Sequence, residues 1–217
     1  MSQLSLFSAD LTPPRVEDLG GLLAAHGQIS RGPGGSRLSI LVADEWRAKA
    51  LLRELRVRDV HGEQVPAAQA RSAGLLDELE PADLAAPPDR AMLTGVLLRS
   101  ARTTALDFLA AEWTRGAVKA APPQLTAGAG LLRCWTIAAG RREESGFVLG
   151  LDRHAPDTFE PLGSACARAG IAATLVGGRG STPGLRIVGS RRSTRLVELL
   201  GTPPPEAPPG AFPVLAH

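Results

Sequence analysis

Apolar runs of two different spacings alternate along this 217-residue chain, and 24 glycines and 18 prolines cut them at short intervals. No element can therefore run long, and the chain must build short helices and short strands that each bury one side. Residues 15–26 read as a helix, with Val16, Leu19, Leu22 and Leu23 at helical spacing and Gly27 as the stop. A strand begins over Gly27 to Ser30, Arg31-Gly32-Pro33-Gly34-Gly35 forms a turn, and Ser36 to Ala43 is a second strand. Asp44 then caps a helix reaching about Leu55, with Trp46, Ala50, Leu51 and Leu55 on its apolar side.

Residues 56–91 are dominated by Ala, Pro and acidic residues, with short apolar pieces at Val57 to Val60 and Leu75 to Leu84, and read as an irregular insertion with a short helix. A strand over about Leu93 to Arg99 and a helix from Thr104 to about Ala120 follow, closed by Pro122-Pro123. Leu131 to Ala138 and Ser145 to Leu151 read as strands joined by the polar turn Gly140-Arg141-Arg142-Glu143-Glu144. Pro156 to Ala169 is a helix ending at Gly170. Ile171 to Val176 and Leu185 to Val188 form a strand pair across a Gly-rich turn, Ser190 to Leu200 is the last helix, and the Pro-rich tail reads as loose.

Helix, strand, strand, helix, strand, strand, helix describes an α+β unit with an antiparallel sheet covered on one face by helices. The chain reads as two such αββαββα units in tandem, related by a pseudo-twofold. The expected divisions are a docking peptide and spacer over 1–14, a first half over 15–103, a second half over 104–201 and a tail over 202–217.

One segment carries more than topology. Leu19-Gly20-Gly21-Leu22-Leu23-Ala24-Ala25-His26-Gly27 ends a helix and runs directly into Gln28-Ile29-Ser30. Leu19, Gly21, Leu22, Ala25 and Gly27 match the nine-residue signature of the LAGLIDADG homing-endonuclease superfamily, and the chain resembles a degenerate, WhiA-like member of it. WhiA itself is an actinobacterial sporulation regulator whose related domain does not cleave DNA. In that superfamily, small residues let two such helices pack closely at the centre. The second copy is sought at Thr114 to Pro122, where only Gly116 and Ala120 match. The resemblance implies a carboxylate before the final glycine of each copy, holding the divalent cation that activates water for phosphodiester cleavage. His26 and Ala121 stand there instead, and neither offers the oxygen ligands Mg²⁺ prefers. The resemblance therefore implies DNA association without cleavage.

A second resemblance lies at the N-terminus. Gln3-Leu4-Ser5-Leu6-Phe7 precedes Pro13-Pro14, and all five residues match the preferred residues of the bacterial sliding-clamp-binding motif. In a docked peptide Gln3 would satisfy buried polar groups while Leu6 and Phe7 fill an apolar pocket. The other reading makes Leu4, Leu6 and Phe7 an edge strand or a clip onto the protein's own core.

Composition narrows the remaining classes. Residues 1–110 hold 12 Lys/Arg against 14 Asp/Glu, and residues 111–217 hold 12 against 8, so the halves carry −2 and +4 and the second permits a polyanionic partner. No apolar run approaches the ~20 residues that span a bilayer and the N-terminus has no basic segment followed by an apolar one, so neither membrane nor secretion is indicated. Cys134 and Cys166 read as buried thiols of a cytoplasmic protein, with no zinc site and no cofactor. His26 reads as a helix-end cap, and Asp152-Arg153-His154 with Asp157 and Glu160 as a solvated, capped loop. Gly177-Gly178-Arg179-Gly180 lacks the Lys-Ser/Thr of a phosphate loop.

For DNA contact the candidates are Arg133, Trp135, Arg141, Arg142, Arg186, Arg191 and Arg192, with Trp135 expected exposed beside Arg133 on a strand to stack on a base. The sequence leads to a non-catalytic DNA-associated protein recruited to the replication sliding clamp, in replication or repair. The alternatives are a LAGLIDADG-like transcriptional or developmental regulator with an incidental N-terminal peptide, and a residual metal-dependent nuclease.

Overall fold

The structure, a computed structural model, describes residues 7–75, 95–177 and 182–214. Two short helices, α1 (Gly20–Ala24) and α5 (Ala129–Ala139), pack side by side at its centre, and each runs directly into a four-stranded antiparallel sheet. A 3₁₀ turn, Val16–Leu19, leads into α1. The first sheet holds β1 (Gln28–Gly32), β2 (Gly35–Val42), β4 (Val96–Ser100) and β3 (Gly62–Pro66), in that order. Helix α2 (Glu45–Arg56) follows β2, and α3 (Ala67–Ser72) follows β3. The second sheet holds β7 (Gly140–Glu143), β8 (Gly146–Gly150), β10 (Gly184–Ile187) and β9 (Thr174–Val176), with α6 (Phe159–Arg168) after β8 and α7 (Ser190–Leu200) after β10. The identical strand order in both sheets makes the pseudo-twofold visible. Between the halves lie α4 (Asp107–Trp113) and a small hairpin, β5 (Thr114–Arg115) with β6 (Val118–Lys119).

Glycine determines how the halves join. A Cβ on Gly21 would stand 2.2 Å from the Leu131 carbonyl oxygen and 2.6 Å from the Trp135 nitrogen, both backbone atoms of α5. Only a residue without a side chain lets the two helices approach that closely. The core then spreads from this seam: Leu19, Leu22 and Leu23 of the first half meet Leu132, Trp135 and Ile137 of the second in one continuous apolar cluster with the helix-facing strand residues Leu38, Ile40, Leu98, Leu149, Leu185 and Ile187.

Several sequence expectations change. Leu131 to Ala138 is not a strand but most of α5, the true second central helix, and Thr114 to Pro122 is not its counterpart. The segment misleads because α5 is buried nearly all round, so its apolar residues leave no helical stripe. By position, Gly140 is the counterpart of Gly27, each opening onto a strand, so Ala139 rather than Ala121 pairs with His26. The helix expected to Ala120 stops at Trp113, and Gly116, at φ +64°, turns the chain back into the β5–β6 hairpin. Gly140 to Glu143 is strand β7 and not a turn. The insertion over 56–91 contains β3 and α3, while residues 76–94, including most of Leu75 to Leu84, Pro87-Pro88 and the start of the Leu93 strand, lie outside the described residues. So do Gly178 to Ser181 of the Gly-rich turn and Leu215 to His217 of the tail.

Both ends pack more firmly than the composition suggests. Ser8 is buried, Ala9 N donates to Leu199 O at 2.9 Å, and Asp10 Oδ2 accepts from Thr202 N and Oγ1 at 2.7 and 2.8 Å. The spacer is thus anchored to the end of α7. The described part of the Pro-rich tail returns over the body, burying Phe212 and pairing Glu206 with Arg53. Cys134 and Cys166 are buried free thiols, as expected.

Candidate nucleic-acid interface and the ends of the central helices

A helix ends in unpaired carbonyls and a partial negative charge, so whatever stands beyond α1 and α5 defines the middle of the molecule. At the end of α1, Lys119 Nζ donates to Ala25 O (3.1 Å) and to Asp152 Oδ2 (2.8 Å). Asp152 also accepts from Gln28 Nε2 (3.2 Å) and, through Oδ1, from His154 N (3.0 Å). At the end of α5, Arg47 donates to Ile137 O (2.6 Å) and Gly140 O (2.7 Å) and pairs with Asp44 (3.1 Å). Asp44 and Asp152 each lie two residues past the equivalent strands β2 and β8, so each half sends an aspartate toward the end of the other half's helix. A cation paired with an aspartate caps both helices.

The two caps differ in depth. Asp152 is buried in an ion pair with Lys119, unlike the rest of its loop, where Arg153, His154, Asp157 and Glu160 are exposed, whereas Asp44 is half exposed. Burial pushes the Asp152 pKa up, but the Lys119 charge and the hydrogen bonds from Lys119 and His154 outweigh it and hold the carboxyl below its ordinary range. Burial also acts on Lys119 and outweighs Asp152 there, lowering the ammonium pKa. The carboxylate gathers three donors while the ammonium has one counter-charge, so the same burial leaves opposite balances. His26, at the final position before Gly27, directs Nε2 to Leu41 O at 2.6 Å and so serves as a structural donor.

These residues do not fit a divalent cation: the positions before the two glycines are His26 and Ala139, and Lys119 and Arg47 place positive charge at both helix ends. Among the described residues no group of three or more His, Cys, Asp or Glu side chains converges on one point.

The face of each sheet turned away from the helices is where a large partner could lie. Alternation along the strands assigns it, because Leu38, Ile40 and Leu98 point into the main core and their neighbours point away. On the first sheet that outer face carries Ser39 and Leu41 on β2 opposite Arg99 and Leu97 on β4. All four are buried, at 4, 6, 8 and 0% exposure. Part of the cover is α3, whose Ala67 and Ala70 form a second apolar cluster with Leu41 and Leu97. On the second sheet Phe147 and Leu149 point inward and Val148 outward, flanked by its cross-strand partners Arg141 and Arg186. Both arginines grip Glu143, at 3.1 and 2.5 Å, and each keeps about a third of its side chain exposed. The hydrogen bond from Arg186, with the Arg141 charge, holds the Glu143 carboxyl below its ordinary range.

Of the residues singled out for DNA contact, the structure therefore brings Arg141 and Arg186 together, while Arg142, exposed on β7, pairs with the inward Phe147 and so lies on the opposite face of the sheet. Arg191 and Arg192 are exposed on the first turn of α7, a helix packed with α5 on the covered side. Two expectations are corrected. Trp135 is fully buried, with Nε1 donating to Gly150 O at 2.7 Å, and cannot stack on a base. Arg133 turns inward to Glu54 (2.8 Å) and to the Leu200 and Thr202 carbonyls (2.8 and 2.6 Å), joining the buried Asp18–Arg58–Glu54 network. Both follow from α5 being a helix. Sequence reasoning missed Lys119, Arg47 and Glu143; the one visible signal was Lys119, one of only two lysines in an arginine-rich chain.

Of the peptide Gln3 to Phe7, only Phe7 lies within the described residues. It is 67% exposed, with the Arg195 guanidinium 5.9 Å from its ring centre. No described helix is long and apolar enough to cross a membrane.

No family model matches the chain, and no curated protein matches it in sequence. Among solved structures it is similar to the homing endonuclease I-WcaI bound to its DNA recognition sequence, with a TM-score of 0.54 and 11% identity over 92% of this chain and 83% of that one. The similarity is one of fold: paired antiparallel sheets joined through two central helices give this chain a LAGLIDADG-like α+β architecture.

Proposed function

We propose that this protein associates with DNA without cleaving it and is brought to replicating or repaired DNA by its N-terminal peptide. The observation that carries the reading is the pair of cation caps. In a fold shared with a DNA-bound homing endonuclease, the ends of both central helices hold Lys119 and Arg47 where cleavage would need carboxylate-bound metal. A scaffold so altered keeps its shape and loses the means to activate water. The guanidinium pair on the outer face of the second sheet and the +4 charge of residues 111–217 supply the attraction for phosphate.

Recruitment rests on Gln3-Leu4-Ser5-Leu6-Phe7, which matches the clamp-binding motif at every position, and on Phe7 being exposed immediately before the anchored Ser8. Purified protein is expected to retard duplex DNA, to leave it intact with Mg²⁺ or Mn²⁺, and to bind the sliding clamp with an affinity that Leu6→Ala/Phe7→Ala abolishes. Equal clamp affinity of the variant and the wild type would remove the recruitment half of the proposal. Sequence-preferring DNA binding that is unaffected by deleting residues 1–6, with no clamp binding, would make the protein a DNA-binding regulator instead. Metal-dependent strand breakage would overturn the non-catalytic half.

A further inference from the structure

We infer that the sliding clamp meets a two-part surface: the peptide Gln3 to Phe7 and, continuous with it on the body, Leu11 beside the end of α7, the two held in fixed register by a turn over residues 8–12. This rests on the recruitment reading above.

A docking peptide at a chain end ordinarily hangs on a spacer, and Pro13-Pro14 reads as one. The chain is anchored before it reaches them. Ser8, next to the last residue of the motif, is fully buried. Its carbonyl accepts from Leu11 N (3.1 Å), Thr12 N (3.0 Å) and Thr12 Oγ1 (2.9 Å), and its Oγ accepts from Asp10 N (3.3 Å). The turn so formed is pinned to the end of α7 by Ala9 N on Leu199 O and by Asp10 Oδ2 on Thr202. Gly201 admits the second of these contacts, because at φ +72° a Cβ there would stand 2.6 Å from Asp10 Cγ.

The anchor is stiff in depth. Arg133 donates to Leu200 O and Thr202 O and also to Glu54, which pairs with Arg58, and Arg58 reaches Asp18. Residues of both halves thus fix the point from which the peptide leaves the body.

The main chain advances only about 3.8 Å from Phe7 to Ser8, so a pocket that takes the Phe7 ring brings the clamp against the body. An apolar side chain waits there. Leu11 is 51% exposed, and its bond to Ser8 O folds it back beside Phe7, whose exposed ring lies next to the Arg195 guanidinium. Covering Leu11 extends the apolar track of Leu6 and Phe7 onto the body. Because the turn already holds Leu11 in register with Phe7, docking avoids the ordering cost that a loose tether carries. The motif selects the occupant: the partner that takes Phe7 is the one within reach of Leu11.

The test measures, by calorimetric titration, the affinity of a purified bacterial sliding clamp for the full chain and for a synthetic peptide of residues 1–8. The full chain is expected to bind about tenfold more tightly than the peptide, the gain from burying one leucine. Leu11→Ser and, separately, a flexible Gly/Ser insertion of about six residues between Phe7 and Ser8 are each expected to bring it down to the peptide's affinity. Leu11 is exposed and the insertion lies ahead of Ser8, so thermal unfolding should match the wild type in both. Val118→Ser, at an exposed apolar residue of the β5–β6 hairpin, is expected to leave binding unchanged. Equal affinities of the peptide, the full chain and both Leu11→Ser and insertion variants would overturn the two-part surface and leave recruitment by a free peptide standing. A peptide that binds more tightly than the full chain, with the insertion raising affinity, would show the body hindering the clamp and overturn it as well. Equal losses in Leu11→Ser and Val118→Ser would do the same. No clamp binding by either peptide or full chain would remove the recruitment reading itself.

Discussion

The two halves share strand order, sheet size and a central helix, yet the outer face of the first sheet carries α3, with Ala67 and Ala70 on Leu41 and Leu97, while that of the second carries Arg141 and Arg186 over the buried Val148. In the first half the loop after α2 returns β3 and α3, and α3 carries alanines that seat on Leu41 and Leu97. In the second half the strand in the equivalent position, β9, is only three residues long and is followed by the Gly-rich turn, with Thr174 and Leu175 exposed. A duplicated architecture can thus keep its shared seam while each copy's sheet acquires a separate role. The seam tolerates little change because backbone meets backbone at Gly21; the sheet faces tolerate much because only side chains meet there.

The contrast between the helix caps gives the largest expected effect. Asp152→Asn leaves the Lys119 ammonium buried without a counter-charge and is expected to cost about 4 kcal/mol in urea unfolding. Its counterpart Asp44→Asn, at a half-exposed carboxylate, should cost less than about 1 kcal/mol. Similar losses at the two positions would show the caps to be equivalent. Next comes the face that α3 covers. Leu97→Ala removes a fully buried side chain from the α3 cluster and is expected to cost about 3 kcal/mol, with faster amide exchange across α3 before β8 is affected. A loss below about 0.5 kcal/mol would mean that the first sheet's outer face is not core.

Acid should separate the halves further. Because the Asp152 carboxyl sits below its unfolded value, its contribution is fully present above the ordinary carboxylate range near 3.9 and is lost as pH falls through the lower, folded value. Asp152→Asn should therefore flatten the acid limb of stability against pH. The smallest effect concerns the thiols. Burial pushes Cys166 up to about 12 and Cys134 higher still, so neither should react with iodoacetamide in the native protein at neutral pH, and mass spectrometry would count no adduct.

Much of this was legible along the chain. The helix ending at Gly27, the β1–β2 pair, α2, α6 and α7 all follow from apolar spacing and glycine stops, and α7 occupies Ser190–Leu200 as read. These elements have one wet side, so period shows. The misreadings concentrate where that condition fails: α5 has no wet side, and the β5–β6 hairpin is too short to have a period. Errors at the candidate site have the same origin. Placing Leu131 to Ala138 on a strand brought Arg133 and Trp135 to a surface, whereas the helix turns both inward, to Glu54 and to Gly150 O.

From its residues alone, this chain commits itself to short helices and antiparallel strands in two tandem sets, to a close helix contact through Gly21, and to a histidine instead of a carboxylate before Gly27, because each of these depends on local period, residue size or residue type. Pairing Lys119 with Asp152, Arg47 with Asp44 and both arginines with Glu143 depends on groups brought together from different elements, which no local pattern encodes. The same holds for which strand residues α3 covers. Burial of a strand face is decided by what folds over it, and the alanines of α3 acquire that meaning only once they rest on Leu41 and Leu97.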